Sequence, residues 1–369
     1  MYDVIVTGGG PAGSQAARLL AQEGFQVLML EKGAPGRSKC CAGAVSGRAL
    51  QFLRGIQLPA CVDLHTVRLA YKGEELTYTS PDPIAKFVVR GKLDEILREA
   101  AEKAGAEIRY HTPAADIRPL GDKVEVETSA GKLQARYLIG ADGATGVSRR
   151  LGANRPQRMA IGLEGEIFLP AAREKYQQTA LIDPSGVPYG YCWLFPKADR
   201  LSVGIVSFSS KPAPLKKHFQ RFLQTYGLPQ PETLAHPLPA LAPGKLVIGG
   251  CLLAGDAAAL VDRFSGEGIA YALQSGTLAA ETIGSALKAG GDIASYQPLV
   301  ERQIYSQLKI TSKLQKAFWF WPQLSHAVLK GRTSLLGQYF DTVAGKQSYE
   351  DLGKELKREF APGRRLKRE

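Results

Sequence analysis

Glycine at positions 8, 10 and 13 leaves the backbone bare at three points of one short run, TGGGPAGS. At G-x-G-x-x-G spacing, Gly8 makes a tight turn, Gly10 lets main chain approach a pyrophosphate, and Gly13 lets a helix pack on a strand. Pro11 and Ala12 open that helix, and amide dipoles at its N-terminus favour phosphate. Glu31 follows Gly8 by 23 residues, where a carboxylate binds both hydroxyls of a ribose, and Lys32 adjoins it. An Asp–Gly pair stands at Asp142-Gly143 and a Gly–Asp pair at Gly255-Asp256; Asp256 ends a strand, where a carboxylate accepts bonds from a polyol. The turn Ser265-Gly266-Glu267-Gly268, followed by Ile269, aims a second helix N-terminus at a ligand, and its dipole favours negative charge there. Cys40 and Cys41, beside Ala42 and Gly43, suit a loop that approaches a flat ligand closely.

Aromatic residues make a second pattern. In PYGYCWLFP, residues 188–196, Tyr189, Tyr191, Trp193 and Phe195 fall at every second position. In a strand they share one face, opposite Gly190, Cys192 and Leu194. Such a wall is either ordinary core or the lining of a pocket for something large, flat or greasy.

Elements must position these groups. Residues 4–7 and 26–30 read as strands, and Ala16, Ala17, Leu19 and Leu20 give the helix between them its apolar stripe, so the N-terminus is a βαβ dinucleotide-binding unit. That unit alone does not separate FAD from NAD. YLIGADGATGVSRR and LVIGGCLLAGDAAALVDRFSGEGI each read as a strand running into an Asp-bearing turn, the second followed by a long helix. In VVRGKLDEILREAAEKAGAEI a strand meets Arg90 and then an amphipathic helix with Leu93, Ile96, Leu97 and Ala100 on one stripe. Arg90 either caps the strand or lies beside a ligand. Alternation over residues 67–78, 160–168 and 201–208 predicts an antiparallel sheet. The segments PGKLV and ETLAHPLPALAP read as loops, and 291–358 as helical.

Taken in order, G-x-G-x-x-G, ADG and AGDAA…GEGI resemble the FAD domain of the para-hydroxybenzoate hydroxylase-type flavoprotein superfamily. The resemblance implies Asp142 near the pyrophosphate and ribose, Asp256 on the ribityl chain, Gly266 and Gly268 against the isoalloxazine, and Arg90 beside the cofactor. Arg263 stands where that superfamily has proline. Two segments resemble the geranylgeranyl reductases in particular. Lys39-Cys40-Cys41-Ala42-Gly43 is similar to their Lys-x-Cys-Gly-Gly stretch, with Ala42 in place of glycine, and implies Cys41 facing the active site; a small buried hydrophobe is the plain alternative. Pro188, Tyr191, Trp193, Phe195, Pro196 and Gly204 match the motif that lines the prenyl pocket, except that Val206 replaces its last glycine.

The resemblance implies an α/β fold with a Rossmann-type FAD-binding domain (1–60, 90–155 and 245–290), an inserted antiparallel β-sheet substrate domain (61–89 and 156–244), and a C-terminal helical region with a basic tail (291–369). It implies reduction of isolated C=C bonds in a prenyl chain carried on a diphosphate or lipid, by hydride from flavin N5, with Cys41, Tyr191 or a water as proton source. The alternatives are an aromatic monooxygenase or halogenase on the same scaffold, and a non-catalytic electron-transfer module. With no second dinucleotide fingerprint, the electron donor is expected to be transient: NADPH or reduced ferredoxin.

Bulk properties agree. Of 369 residues, 44% are hydrophobic and 22% charged, as in a globular protein with a sizeable core. Five cysteines at irregular spacing give neither a disulfide framework nor a zinc-ligand pattern, so no metal is expected. The opening residues, MYDVIVTGGG, carry no leader pattern, and no apolar run spans a bilayer, which predicts a cytoplasmic protein. The net charge of +12 favours anionic partners such as an acidic ferredoxin, but no nucleic-acid module is visible. The run KREFAPGRRLKRE reads as a solvated tail or a weak contact with anionic lipid headgroups. In AFWFWPQLSHAVL, Phe318 to Trp321 read either as a buried cap or as an entrance dipping into a membrane interface near Lys313, Lys316 and Lys330.

Overall fold

The computed structural model describes residues 1–37, 39–152, 159–209, 214–239 and 244–359. The boundary read at 155/156 and the last ten residues of the basic run lie outside the described residues.

Val4, Ile5 and Val6 are wholly buried, as a central strand covered on both faces requires. Their strand, β1 (Tyr2–Thr7), pairs in parallel with β2 (Val27–Leu30) and with β11 (Gly131–Gly140). Beyond β2 lies β8 (Glu107–Arg109); beyond β11 lie β18 (Cys251–Leu253) and β17 (Val247–Ile248). An antiparallel ribbon of β10 (Lys123–Thr128) and β9 (Ala114–Leu120) extends from β11. Helix Pro11–Gln22 packs on this sheet and on helix Ile269–Ala289. The two helices approach closely because Gly276 faces the Ala12 carbonyl, where any side chain would collide.

The second sheet runs β16 (Thr233–Pro239), β12 (Met159–Ile167), β15 (Leu201–Ser207), β14 (Gly190–Pro196), β13 (Thr179–Asp183), β5 (Thr66–Tyr71) and β6 (Glu74–Thr79). A three-stranded antiparallel sheet joins β3 (Ala44–Ser46), β7 (Ala85–Val88) and β4 (Cys61–Leu64), tying the Cys41 loop region to the segment before the second sheet. Two expectations need correction. The second sheet is not wholly antiparallel, since β5 and β13 run parallel. Within ETLAHPLPALAP, read as loop, residues 233–239 form edge strand β16; an edge needs hydrogen-bonded amides on one side only, so its two prolines are tolerated there.

Each face of this sheet has its own cover. Cys192, Leu194, Leu163, Val203 and Ile205 pack on Phe219, Phe222 and Leu223 of helix Leu215–Thr225. Trp193, Phe195 and Val206 face the other way, toward Phe87 and the C-terminal residues Leu336 and Phe340. The C-terminal helices are Ser306–Phe320, Pro322–Gly331, Ser334–Val343 and Tyr349–Glu359. Pro322 holds Trp321 out of helical geometry (φ −131°, ψ 72°), which breaks the first from the second. Among the described residues, no helix is long and apolar enough to cross a membrane.

Candidate active site

A cavity of about 630 Å³ opens between the two large sheets. Its polar end is built from the loops singled out in the sequence: Gly10, Pro11, Ala12, Cys41, Ala42, Gly43, Arg90, Gly143, Gly255, Asp256, Gly266, Gly268 and Ile269 all line it. Tyr191, Trp193 and Phe195 form one wall, Val206 lies beside them, and Tyr339, Phe340 and Val343 close the far side.

The remaining candidates shape this cavity from behind. A side chain at Gly8, where φ is +96°, would collide with Ala141, and one at Gly13 with the Gly8 carbonyl. Glu31 is 1% exposed; its carboxylate accepts Gly9 N–H at 2.8 Å and Gly33 N–H at 2.7 Å, and pairs with Arg37. It thus fixes the glycine loop, while Lys32 is exposed. Asp142 accepts from the Ser148 amide at 3.0 Å and from the Ser148 hydroxyl, so its carboxylate ties down its own turn, and burial pushes its carboxyl up from the ordinary value. Pro196 and Gly204 do not line the cavity. A side chain at Gly204 would strike the Trp193 indole, so the glycine is what lets that ring lie flat across β15. Tyr189 leaves the aromatic wall: it sits at φ +53°, ahead of β14, and is 51% exposed.

Two helix N-termini meet the cavity, both N-capped by glycine. Gly10 caps helix Pro11–Gln22 and Gly268 caps helix Ile269–Ala289; neither has a side-chain cap or an acid in its first turn. Helix-end amides left without side-chain partners are donors for a ligand. Around Gly10, nothing lies within 4 Å of where a side chain would begin. A pyrophosphate at the first helix and the electron-rich edge of a flavin at the second satisfy both dipoles, so the residues present fit FAD.

The chemistry-bearing side chains converge between these ends. The Cys41 sulfur accepts from the Gly43 amide at 3.5 Å and from the Arg90 guanidinium at 3.6 Å. Arg90 is itself fixed by Asp94 at 2.6 Å. Tyr191 donates its hydroxyl to the Ser265 carbonyl, joining the second sheet to the glycine turn, and burial pushes its phenol up. Asp262, fully buried, holds that turn through the Phe264 amide at 2.8 Å and the Ser265 hydroxyl at 2.7 Å. Burial opposes ionisation of Asp256, but His236, Lys39 and Arg90 draw its carboxyl below the ordinary value. Lys39 lines the cavity, and Arg90 first and burial second hold its ammonium below the usual lysine range. Arg263 is half-buried and is not part of the cavity lining.

Sequence reasoning missed a buried network under the Cys41 loop. Glu164 on β12 accepts the Cys41 amide, and Lys197 donates to the Cys41 carbonyl at 3.3 Å. Lys197, 1% exposed, also reaches Glu164 at 3.3 Å and Glu166 at 2.9 Å. Ser202 donates to Glu164 at 2.7 Å, and the Trp193 indole donates to Ser202 at 3.2 Å. The available signal was the pair of acids in the otherwise apolar run AIGLEGEIF, which a buried strand face accepts only if they are paired.

A family model for the FAD binding domain matches residues 1–173. Geranylgeranyl diphosphate reductase from Oryza sativa subsp. japonica is 30% identical, over 86% of this chain and 75% of that protein. Menaquinone reductase from Mycolicibacterium smegmatis is also 30% identical, over 83% of this chain and 81% of that protein. A geranylgeranyl bacteriochlorophyll reductase-like protein from Thermoplasma acidophilum superposes with a TM-score of 0.75 at 23% identity, covering 96% of this chain and 90% of that one. A flavin-dependent brominase superposes with a TM-score of 0.74 at 20% identity over 98% of this chain and all of that one, a likeness of fold alone. Identity at this level across most of both chains is a family relationship, and the chain belongs to the geranylgeranyl reductase family of FAD-dependent oxidoreductases.

Proposed function

We propose that this protein saturates isolated C=C bonds of a prenyl chain carried on a diphosphate, lipid or quinone head. The observation that carries the reading is the continuity of one cavity, from the two glycine-capped helix ends past Cys41 to a wall of Tyr191, Trp193 and Phe195. The described residues within 61–89 and 156–244 supply the substrate side.

An isolated alkene carries little polarity, so the site must bring a strong hydride donor and a proton to its two carbons in a dry enclosure. Reduced FAD, when bound, supplies hydride from N5. The Gly10 and Gly268 helix ends would hold that cofactor, with Asp256 toward its polyol chain and Arg90 beside it. Cys41 holds a proton on sulfur at the junction of the polar and apolar ends. Tyr191 is the second proton source, but its hydroxyl is already donated to Ser265. The apolar walls exclude water and keep the chain extended against the aromatic face. NADPH or a reduced ferredoxin restores the electrons through a transient encounter, and the net charge of +12 suits an acidic partner.

An aromatic substrate for oxygenation or halogenation needs polar partners along its ring, whereas Val67, Leu69, Ala180, Ile182 and Leu238 line this cavity. The test is anaerobic: dithionite-reduced holoenzyme is mixed with geranylgeranyl diphosphate, a geranylgeranylated glycerophospholipid or menaquinone. Saturated product by mass spectrometry is expected from at least one. Flavin-replete enzyme that saturates none of them, yet consumes oxygen on adding an aromatic substrate, overturns the proposal.

A further inference from the structure

We propose that the corner between helices Ser306–Phe320 and Pro322–Gly331 docks on an anionic membrane surface. Three large apolar side chains stand in solvent at this corner: Phe320, Trp321 and Leu324, 67%, 60% and 57% exposed. Trp321 and Leu324 also line the cavity, so the patch rims its mouth. Apolar surface grouped at a cavity entrance, unlike single scattered residues, marks an interaction site.

Charge selects the partner. From 302 to 340 the chain carries six Lys and Arg and no Asp or Glu. Lys309, Lys313 and Lys316 are exposed and precede Phe320 at spacings of four, three and four, which places all four on one helix face. None of the three lysines pairs with an acid among the described residues, whereas Lys330 is held by Glu74 at 2.9 Å. A lysine stripe ending in aromatic and leucine side chains matches an interface where headgroups are anionic and the layer beneath is apolar. Pro322 supports the geometry by forcing the bend that puts Trp321 at the apex. An acidic protein surface would satisfy the lysines but leave Phe320, Trp321 and Leu324 without an apolar layer. Docking stands whatever the cavity accepts, although a lipid substrate would enter there.

The test uses full-length flavin-loaded protein and vesicles of phosphatidylglycerol with phosphatidylcholine. Co-sedimentation is expected with these and not with phosphatidylcholine alone, weakening by about fivefold for each of Lys309→Gln, Lys313→Gln and Lys316→Gln. Brominated acyl chains should quench tryptophan emission, and Trp321→Phe should abolish the quenching, since Trp193 and Trp319 are buried. Phe320→Ser with Leu324→Ser retains every charge and should lower vesicle affinity by about tenfold or more. Retained flavin absorbance shows that these surface variants are folded. Quenching that survives Trp321→Phe, or vesicle binding unaffected by the double serine variant, overturns the proposal. So does failure to bind vesicles, including a result in which the patch instead drives self-association lost in the serine variant.

Discussion

Glu164 and Cys41 are 123 residues apart in sequence, and the Glu164 carboxylate accepts the Cys41 backbone amide. Lys197, just past β14, donates to the Cys41 carbonyl, so both main-chain polar groups of the candidate proton donor are held by the second sheet and its β14–β15 connection. Glu164→Ala leaves that amide without its acceptor, and Lys197 and Ser202 without one of their partners. A cost of about 1–3 kcal/mol follows, read as a lower thermal midpoint. The turnover number should also fall while flavin stays bound, because the loop is no longer positioned. Glu164→Gln keeps an acceptor for the amide and should recover much of the rate. Equal losses in the two variants would show that charge, not the amide contact, is what matters.

Cys41 is the proposed proton source, with its sulfur held by Gly43 and Arg90. Cys41→Ala should slow single-turnover reduction by about 10²–10⁴ without changing the flavin spectrum. Tyr191→Phe should cost less, since its hydroxyl is already committed to Ser265. A full rate in Cys41→Ala would transfer the role to Tyr191 or water.

Much of this site was legible because glycine and acid at fixed spacing have few structural explanations. Gly8, Gly10, Gly13, Asp256, Gly266 and Gly268 were found that way, and the two helix ends meet at one cavity. Alternation in β14 gave the wall but not its end: Tyr189 matches the pattern and still falls in the turn, since periodicity does not say where a strand starts. The acids of AIGLEGEIF announce only that they must be paired; that Glu164 meets the Cys41 amide and Lys197 follows from the fold alone, and Lys197 is an ordinary charged residue until the fold places it under Cys41. The covering role of Leu336, Tyr339 and Phe340 was equally hidden, because an amphipathic helix does not state what its apolar stripe will meet.

Gly8 and Gly10 separate folding from cofactor binding. Gly8→Ala adds a collision with Ala141 to an unfavourable backbone at φ +96°, so soluble folded protein should be scarce. Gly10→Val meets no protein atom within 4 Å of its first carbon and should fold. Its branched side chain would occupy the approach to the helix amides, so the purified protein should lack flavin absorbance while melting cooperatively. Flavin retained at full stoichiometry in Gly10→Val would remove the pyrophosphate from this helix end.

Val206 stands opposite Tyr191 across the β14–β15 pair and reaches into the cavity, where the related motif has glycine. Val206→Gly removes an apolar branch at the polar end of the aromatic wall and deepens the space there. Longer prenyl chains should then be saturated at more positions, or bound more tightly, relative to shorter ones. Gly204→Ala is the contrasting change: its added carbon strikes the Trp193 indole, which must leave its place across β15. Such overpacking costs about 1–3 kcal/mol. It should also break the Trp193–Ser202 hydrogen bond that leads to Glu164, shifting tryptophan emission and lowering turnover for every chain length. Product profiles across a series of prenyl diphosphates distinguish the two. A change in length preference in Val206→Gly, beside a uniform loss in Gly204→Ala, would assign selectivity to Val206 and wall placement to Gly204. An unchanged length profile in Val206→Gly would place the chain's end elsewhere in the cavity.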